Sequence, residues 1–250
     1  MDPVSSELSG FIDRLARVRQ AIAQASAKRP SGPAVQLIGV SKLQSVAALR
    51  LARQAGLDDF GENYAQELQD KQRVLDDDPE FVAGAPLVGR PPPRWHFIGK
   101  LQRNKVKRVV GCTLIHAVDR PELVAAIDQR ARELGIIQEC LCAINWGEAQ
   151  KAGVLPAEVR PVLDAFARAD NVRCTGLMTI PPVSEPAAAA SYFAALAELR
   201  AVLATEDRPH VGLRELSMGM SSDFVEAIAH GATMVRIGTA IFGARPQVDP

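Results

Sequence analysis

The sequence predicts an α/β chain folded as a single (β/α)8 TIM barrel with an extra helix at its N-terminus. Short apolar runs alternate with amphipathic helical patterns along the chain, and about eight such runs occur, the number that closes a parallel barrel. No G-x-G-x-x-G follows the first run, which argues against an open dinucleotide-binding sheet. At 250 residues and 47% hydrophobic composition the chain can bury one large core, so one domain over 1–250 is expected.

The elements follow in order. Leu8, Phe11, Ile12, Leu15, Val18 and Ile22 form a stripe at helical spacing that ends near Lys28-Arg29-Pro30, where proline cannot continue a helix. Candidate strands follow at 36–41, 58–61, 94–99, 113–118, 137–145, 172–179, 214–219 and 233–238. Asp119-Arg120-Pro121-Glu122 offers a capping Asp119, a proline in the first turn and a glutamate three residues after the cap, with Gly135 closing the periodic run through Leu134. Ser184-Glu185-Pro186 opens an alanine-rich helix containing Tyr192 and Leu199. The Gly/Pro-rich stretch 82–94, with Pro91-Pro92-Pro93, reads as a surface loop between a helix and the third strand, and 244–250 as a tail.

Composition narrows the function. Lys plus Arg is 29 and Asp plus Glu is 29, so no global positive field gathers nucleic acid or an anionic membrane. The start lacks a basic segment followed by an apolar run, and no later apolar stretch spans a bilayer, so a cytoplasmic protein is expected. Cys112, Cys140, Cys142 and Cys174 have neither C-x-x-C spacing nor disulfide-scaffold density and read as reduced, with Cys140 and Cys142 on one strand face. No Ser/His/Asp set, paired-carboxylate spacing or H-x-x-x-H is evident.

In a barrel of this type the working residues lie where strands end, and phosphate is commonly held by the loops after the last two strands. The first of those loops, Ser217-Met218-Gly219-Met220-Ser221-Ser222-Asp223, presents the Ser221 hydroxyl and backbone N–H groups at a helix start. In the second, Gly238 admits close backbone approach and Thr239 adds a hydroxyl. Ordinary helix capping is the bland alternative for both. Lys42 closes the first strand in phase with Gln36, Ile38 and Val40; on an interior face its amine is desolvated, which lowers a lysine pKa and suits condensation with an aldehyde. A solvated lysine in a strand-to-helix loop is the alternative. Arg236 shares its face with Met234 and Gly238 and, once buried, needs an acceptor: a pyridine nitrogen, a phosphate oxygen or a barrel carboxylate. Asn63 follows the second strand, His96 lies on the third and His116 ends the fourth, positions that either line a site or pack; His210 and His230 read as solvated.

These residues fall in motifs that resemble one known family. Gly39-Val40-Ser41-Lys42, Phe60-Gly61-Glu62-Asn63-Tyr64, Trp95-His96-Phe97-Ile98-Gly99 with Leu101-Gln102-Arg103-Asn104-Lys105, Gly176-Leu177-Met178-Thr179, Leu216-Ser217-Met218-Gly219-Met220-Ser221 and Val235-Arg236-Ile237-Gly238-Thr239 are similar to those of the pyridoxal phosphate homeostasis proteins, which share the barrel of alanine racemase. The resemblance covers nearly the whole chain. It implies pyridoxal 5'-phosphate (PLP) as cofactor, an internal aldimine on Lys42, Arg236 facing the ring nitrogen, Ser221, Gly238 and Thr239 holding the phosphate, and Asn63 and Met178 lining the ring pocket. It also implies a monomer. Three places depart from the family pattern: the 145–151 loop is one residue short, the 82–94 loop is long, and Ala117 stands where serine is common.

An arginine against the pyridine nitrogen disfavours its protonation and weakens the ring as an electron sink. Racemisation needs proton donors and acceptors on both faces of the substrate carbon, and the only tyrosines are Tyr64 and Tyr192. The expectation is therefore a protein that holds PLP as a Schiff base without robust turnover and passes it to PLP-dependent apoenzymes. An amino-acid racemase and a cofactor-free, Schiff-base aldolase-like barrel acting on a sugar phosphate are the alternatives.

Overall fold

Runs such as Gln36-Leu37-Ile38-Gly39-Val40 are short, rich in branched residues and bounded by turns, so they bury as strands. The computed structural model of the protein describes residues 3–29, 31–83, 90–182 and 186–243. Its strands are β1 (Gln36–Val40), β2 (Asp59–Glu62), β3 (Arg94–Phe97), β4 (Leu114–Val118), β5 (Gln138–Ile144), β6 (Val172–Thr179), β7 (Val211–Ser217) and β8 (Met234–Ile237). All pair in parallel and in sequence order, and the barrel closes where β8 meets β1 with Gln36 opposite Met234 and Ile38 opposite Arg236.

Ten α-helices are described: α1 (Pro3–Ala27), α2 (Val46–Gln54), α3 (Ala65–Leu75), α4 (Pro79–Ala83), α5 (Val106–Val109), α6 (Pro121–Leu134), α7 (Val159–Ala167), α8 (Pro186–Leu203), α9 (Phe224–Ala229) and α10 (Thr239–Phe242). The extra N-terminal helix α1 packs on α2, α9 and α10. It buries Phe11, Leu15, Val18 and Ile22, whereas Ile12, which the spacing places in the same stripe, is 47% exposed. One position beyond Phe11 is about 100° further round the helix, which carries Ile12 off the stripe.

The main core lies between barrel and helices, and a smaller apolar cluster of Ile38, Leu114, Ala117, Leu141, Ala143, Met178 and Met234 is separate from it. Successive residues His116 and Ala117 are both buried, while Ile115 and Val118 belong to the outer core; the β4–β5 register shifts between those two. His116 thus sits inside β4 and not at its end.

Some element ends differ from the sequence reading. Strand β7 covers 211–217 instead of 214–219: it enters through His210 and Leu213, both at positive φ, and stops before Gly219 at φ +93. Asp119 does not cap α6. Arg120 occupies the cap position with Pro121 first in the helix, and the Asp119 carboxylate accepts from Arg120 at 2.5 Å and from the Gly153 N–H at 3.2 Å, tying the β4 and β5 loops together. Gly135 closes α6 in the left-handed conformation at φ +66. Val82 and Ala83 belong to α4. Beyond that helix the chain is pinned again at Pro91, whose carbonyl accepts from the buried Arg53 at 2.6 Å, and at Arg90, which pairs with Asp58. Pro30, the middle of the 82–94 loop at 84–89, Ser184-Glu185 and the 244–250 tail lie outside the described residues.

Candidate functional site

Strand β1 ends at Val40, and the alternation that puts Ile38 in the inner cluster carries Val40 and Lys42 to one cavity at the barrel mouth. The turn bearing Lys42 is clamped from behind. Ser41 donates its N–H to the Gly61 carbonyl at 2.9 Å and its hydroxyl to Glu62 Oε1 at 2.6 Å. From α3, Lys71 Nζ donates to the Ser41 carbonyl at 2.7 Å, to Glu62 Oε1 at 2.8 Å and to Glu67 Oε1 at 2.7 Å. Glu67 in turn accepts the Leu43 N–H at 2.6 Å. Leu43 has φ +61, a region that a residue with a Cβ rarely adopts, and this tie helps to hold it there. Burial pushes the Glu62 carboxyl up to about 7, against the pull of Lys71 and Ser41.

Opposite Lys42 are the two loops that follow β7 and β8. Gly219 makes the first turn away from β7, its carbonyl accepts the Arg236 N–H at 3.0 Å, and the buried Asp223 takes the Met220 N–H at 2.5 Å. Lys42, Ser221, Ser222, Arg236, Gly238 and Thr239 line one cavity of about 320 Å³. Among the described residues the Ser221, Ser222 and Thr239 hydroxyls have no protein hydrogen-bond partner, and α9 and α10 begin beside them; the Phe224, Ile241 and Phe242 amides are taken by the Met220 and Gly238 carbonyls at 2.9 Å, and the Thr239 and Ala240 amides have no acceptor among the described residues.

Arg236 is 3% exposed. Its Nη1 donates to Ser217 Oγ at 2.6 Å and its Nη2 to the Thr179 carbonyl at 2.9 Å. Of the acceptors that its burial called for, the protein supplies a hydroxyl and a carbonyl, and no ion pair with a carboxylate is found for it among the described residues. Burial lowers its pKa to about 10, with Asp223 opposing, so it stays charged at neutral pH. Behind Ser217 the polar contacts continue inward: Ser217 Oγ lies 2.9 Å from His116 Nδ1, His116 Nε2 lies 3.1 Å from His96 Nδ1, and His96 Nε2 lies 3.0 Å from Asp59 Oδ1.

The cavity therefore gathers Lys42, Ser221, Arg236, Gly238 and Thr239 from the seven residues the sequence nominated. Asn63 lines a neighbouring cavity of about 500 Å³ with Tyr64, Phe97, Gly99 and Gln102. Gly99 is required there, since a Cβ would stand 2.0 Å from the Asn63 carbonyl oxygen. Met178 packs in the small apolar cluster with Ala143 and Met234. Sequence reasoning missed Gln44 and Ser222 as lining residues, and Ser217 and Thr179 as the partners of Arg236. Ser222 stood inside a loop already singled out; Thr179 acts through its carbonyl, which no side-chain pattern announces. The 145–151 loop folds round Asn145, whose side chain donates to the Glu148 and Lys151 carbonyls at 2.8 and 3.1 Å and accepts the Gly147 and Glu148 N–H groups.

Residues 14–246 match the family model described as alanine racemase, N-terminal domain. The pyridoxal phosphate homeostasis protein of Pseudomonas aeruginosa is 42% identical over 238 residues, 94% of each chain. PipY of Synechococcus elongatus, whose structure is known with PLP bound, superposes with a TM-score of 0.78 at 36% identity over 93% of this chain and 100% of that one. An alanine racemase from Clostridium difficile superposes with a TM-score of 0.65 at 15% identity, over 95% of this chain and 61% of the racemase, a likeness of fold alone. On this similarity along nearly its full length, the chain belongs to the pyridoxal phosphate homeostasis protein family, built on the barrel of the alanine racemase N-terminal domain.

Proposed function

We propose that this protein binds PLP in the cavity under Lys42 and serves PLP homeostasis, holding the cofactor and handing it to PLP-dependent apoenzymes without robust turnover. One observation carries the reading: a single cavity presents an amine, a charged guanidinium and two hydroxyl-bearing loops to one another. These match the three reactive parts of the cofactor. The Ser221 and Thr239 hydroxyls, with the amides beside Gly238, suit the phosphate; Arg236 would donate to the ring nitrogen, and the Lys42 amine would hold the aldehyde carbon as a Schiff base, with loss of one water. Bound PLP would supply an electron sink, and an arginine at the ring nitrogen keeps that sink weak. Asn63 and Met178 complete the ring pocket in this reading. Neither tyrosine lines the cavity: Tyr64 belongs to the neighbouring one, and Tyr192 on α8 packs against Trp146 at 5.5 Å. No tyrosine, histidine or carboxylate is among the described residues that line the cavity with Lys42. Among the described residues no helix is long and apolar enough to cross a membrane, and the protein acts in the cytoplasm as a monomer.

The test is an absorbance titration with PLP, followed by borohydride reduction and peptide mapping. The expected result is a reducible band with the label on Lys42, lost in Lys42→Ala while the circular dichroism is retained. No band in the native protein would favour a cofactor-free aldolase-like barrel, and deuterium incorporation into a pure amino-acid enantiomer would favour a racemase.

A further inference from the structure

The interior of a parallel barrel is ordinarily filled by branched apolar side chains. Here five buried polar residues from different strands, Asp59, His96, His116, Ser217 and Arg236, cross it in an unbroken line of hydrogen bonds. At the far end Arg94 donates to both Asp59 oxygens at 2.7 Å and Gln36 donates to Oδ1 at 2.7 Å.

The direction of each bond follows from Asp59. Burial would raise its carboxyl, but the hydrogen bonds of His96 and Arg94 prevail and hold it at about 2, so it is ionised and can only accept. His96 Nε2 therefore carries a hydrogen. With the ring neutral, His96 Nδ1 accepts from His116 Nε2, His116 Nδ1 accepts from the Ser217 hydroxyl, and the Ser217 lone pairs are left to Arg236. Adding one proton to the histidine pair would reverse the two inner bonds. Ser217 would then accept from both His116 and Arg236, and its own hydrogen would have no partner among the described residues, a costly state in a buried site. The neutral, one-way arrangement is the one that satisfies every group.

We propose that Asp59, His96 and His116 are positioning residues for the cofactor. Through Ser217 they set where the Arg236 guanidinium stands, and hence the N–H that meets the ring nitrogen, from the opposite end of the barrel. Arg236 is held at two nitrogens, by the backbone carbonyl of Thr179 and by the Ser217 oxygen. Of those two, only the hydroxyl can rotate, and the histidine pair is what stops it from doing so. The inference rests on the PLP reading of the cavity.

The test uses the full chain titrated with PLP, reading the dissociation constant and the absorption band of the bound cofactor, with thermal unfolding of the apoprotein alongside. Ser217→Ala and His116→Phe are expected to weaken PLP binding about tenfold, the worth of one hydrogen bond to a charged group, and to shift the band. His116→Asn keeps an acceptor at the place of Nδ1 and should recover most of the affinity and the native band. Ser217→Ala, the smallest change, keeps the test open if His116→Phe does not fold. Lowered unfolding temperatures with an unchanged dissociation constant and band would mean that the chain is only structural, and the inference would be lost. Failure of the native protein to bind PLP would instead remove the cofactor reading beneath it.

Discussion

Lys42 is one residue on a turn, and what distinguishes it is how its neighbours are held. Ser41 and Leu43 are each tied to α3, through Lys71 and Glu67, so the amine is carried by backbone that cannot easily swing away. Glu62 at the centre of that clamp titrates at about 7 instead of 4.5, first because it is buried. Between those values the folded chain holds a proton that the unfolded chain has lost, so this group makes stability fall as pH rises, with the cost complete above about 7. Glu62→Gln should flatten that slope, by at most about 3 kcal/mol over the window. Comparing urea midpoints of variant and native protein near pH 5 and pH 7.5 checks it, and parallel slopes would contradict it. Lys42 itself was legible from strand phase. Its clamp was not, because Lys71 comes from another helix and nothing in local spacing ties it to Ser41.

At the scale of elements, the added helix α1 does more than cover an open face. Phe11 meets Phe242 edge to face at 5.8 Å, and Arg14 Nε donates to the Ile241 carbonyl at 2.6 Å, so α1 braces α10, the helix that starts at Thr239 in the candidate phosphate loop. Phe11→Ala is expected to cost about 3 kcal/mol in urea unfolding and to weaken PLP binding as α10 loosens. A stability loss without any change in affinity would separate the brace from the site. Element existence was readable from period and punctuation, but ends were less so. Asp119 looks like a cap in sequence, and tertiary structure gives it to Gly153 instead; β7 stops early because Gly219 must turn to receive the Arg236 N–H.

For the whole molecule, closure of β8 on β1 brings the first and last strands to one cavity, lined by Lys42 from the turn after β1, Arg236 from β8 and Thr239 from the loop that follows it. A ligand there favours the closed barrel over the open chain. Free PLP at a hundredfold excess over its dissociation constant should stabilise the native protein by about 2.7 kcal/mol. The same PLP concentration should stabilise Lys42→Ala far less; an equal gain in both would place the binding elsewhere.

Taken alone, the sequence determined the barrel, the N-terminal helix and the positions of Lys42, Ser221, Arg236, Gly238 and Thr239, because strand alternation and loop chemistry are local and repeat along the chain. Only the tertiary structure decided that Arg236 rests on Ser217 and Thr179, that His116 and His96 join it to Asp59, and that α1 braces α10. Those contacts join residues from strands and helices far apart in the sequence, and which of them meet is set by barrel closure and register, distances that no local pattern encodes.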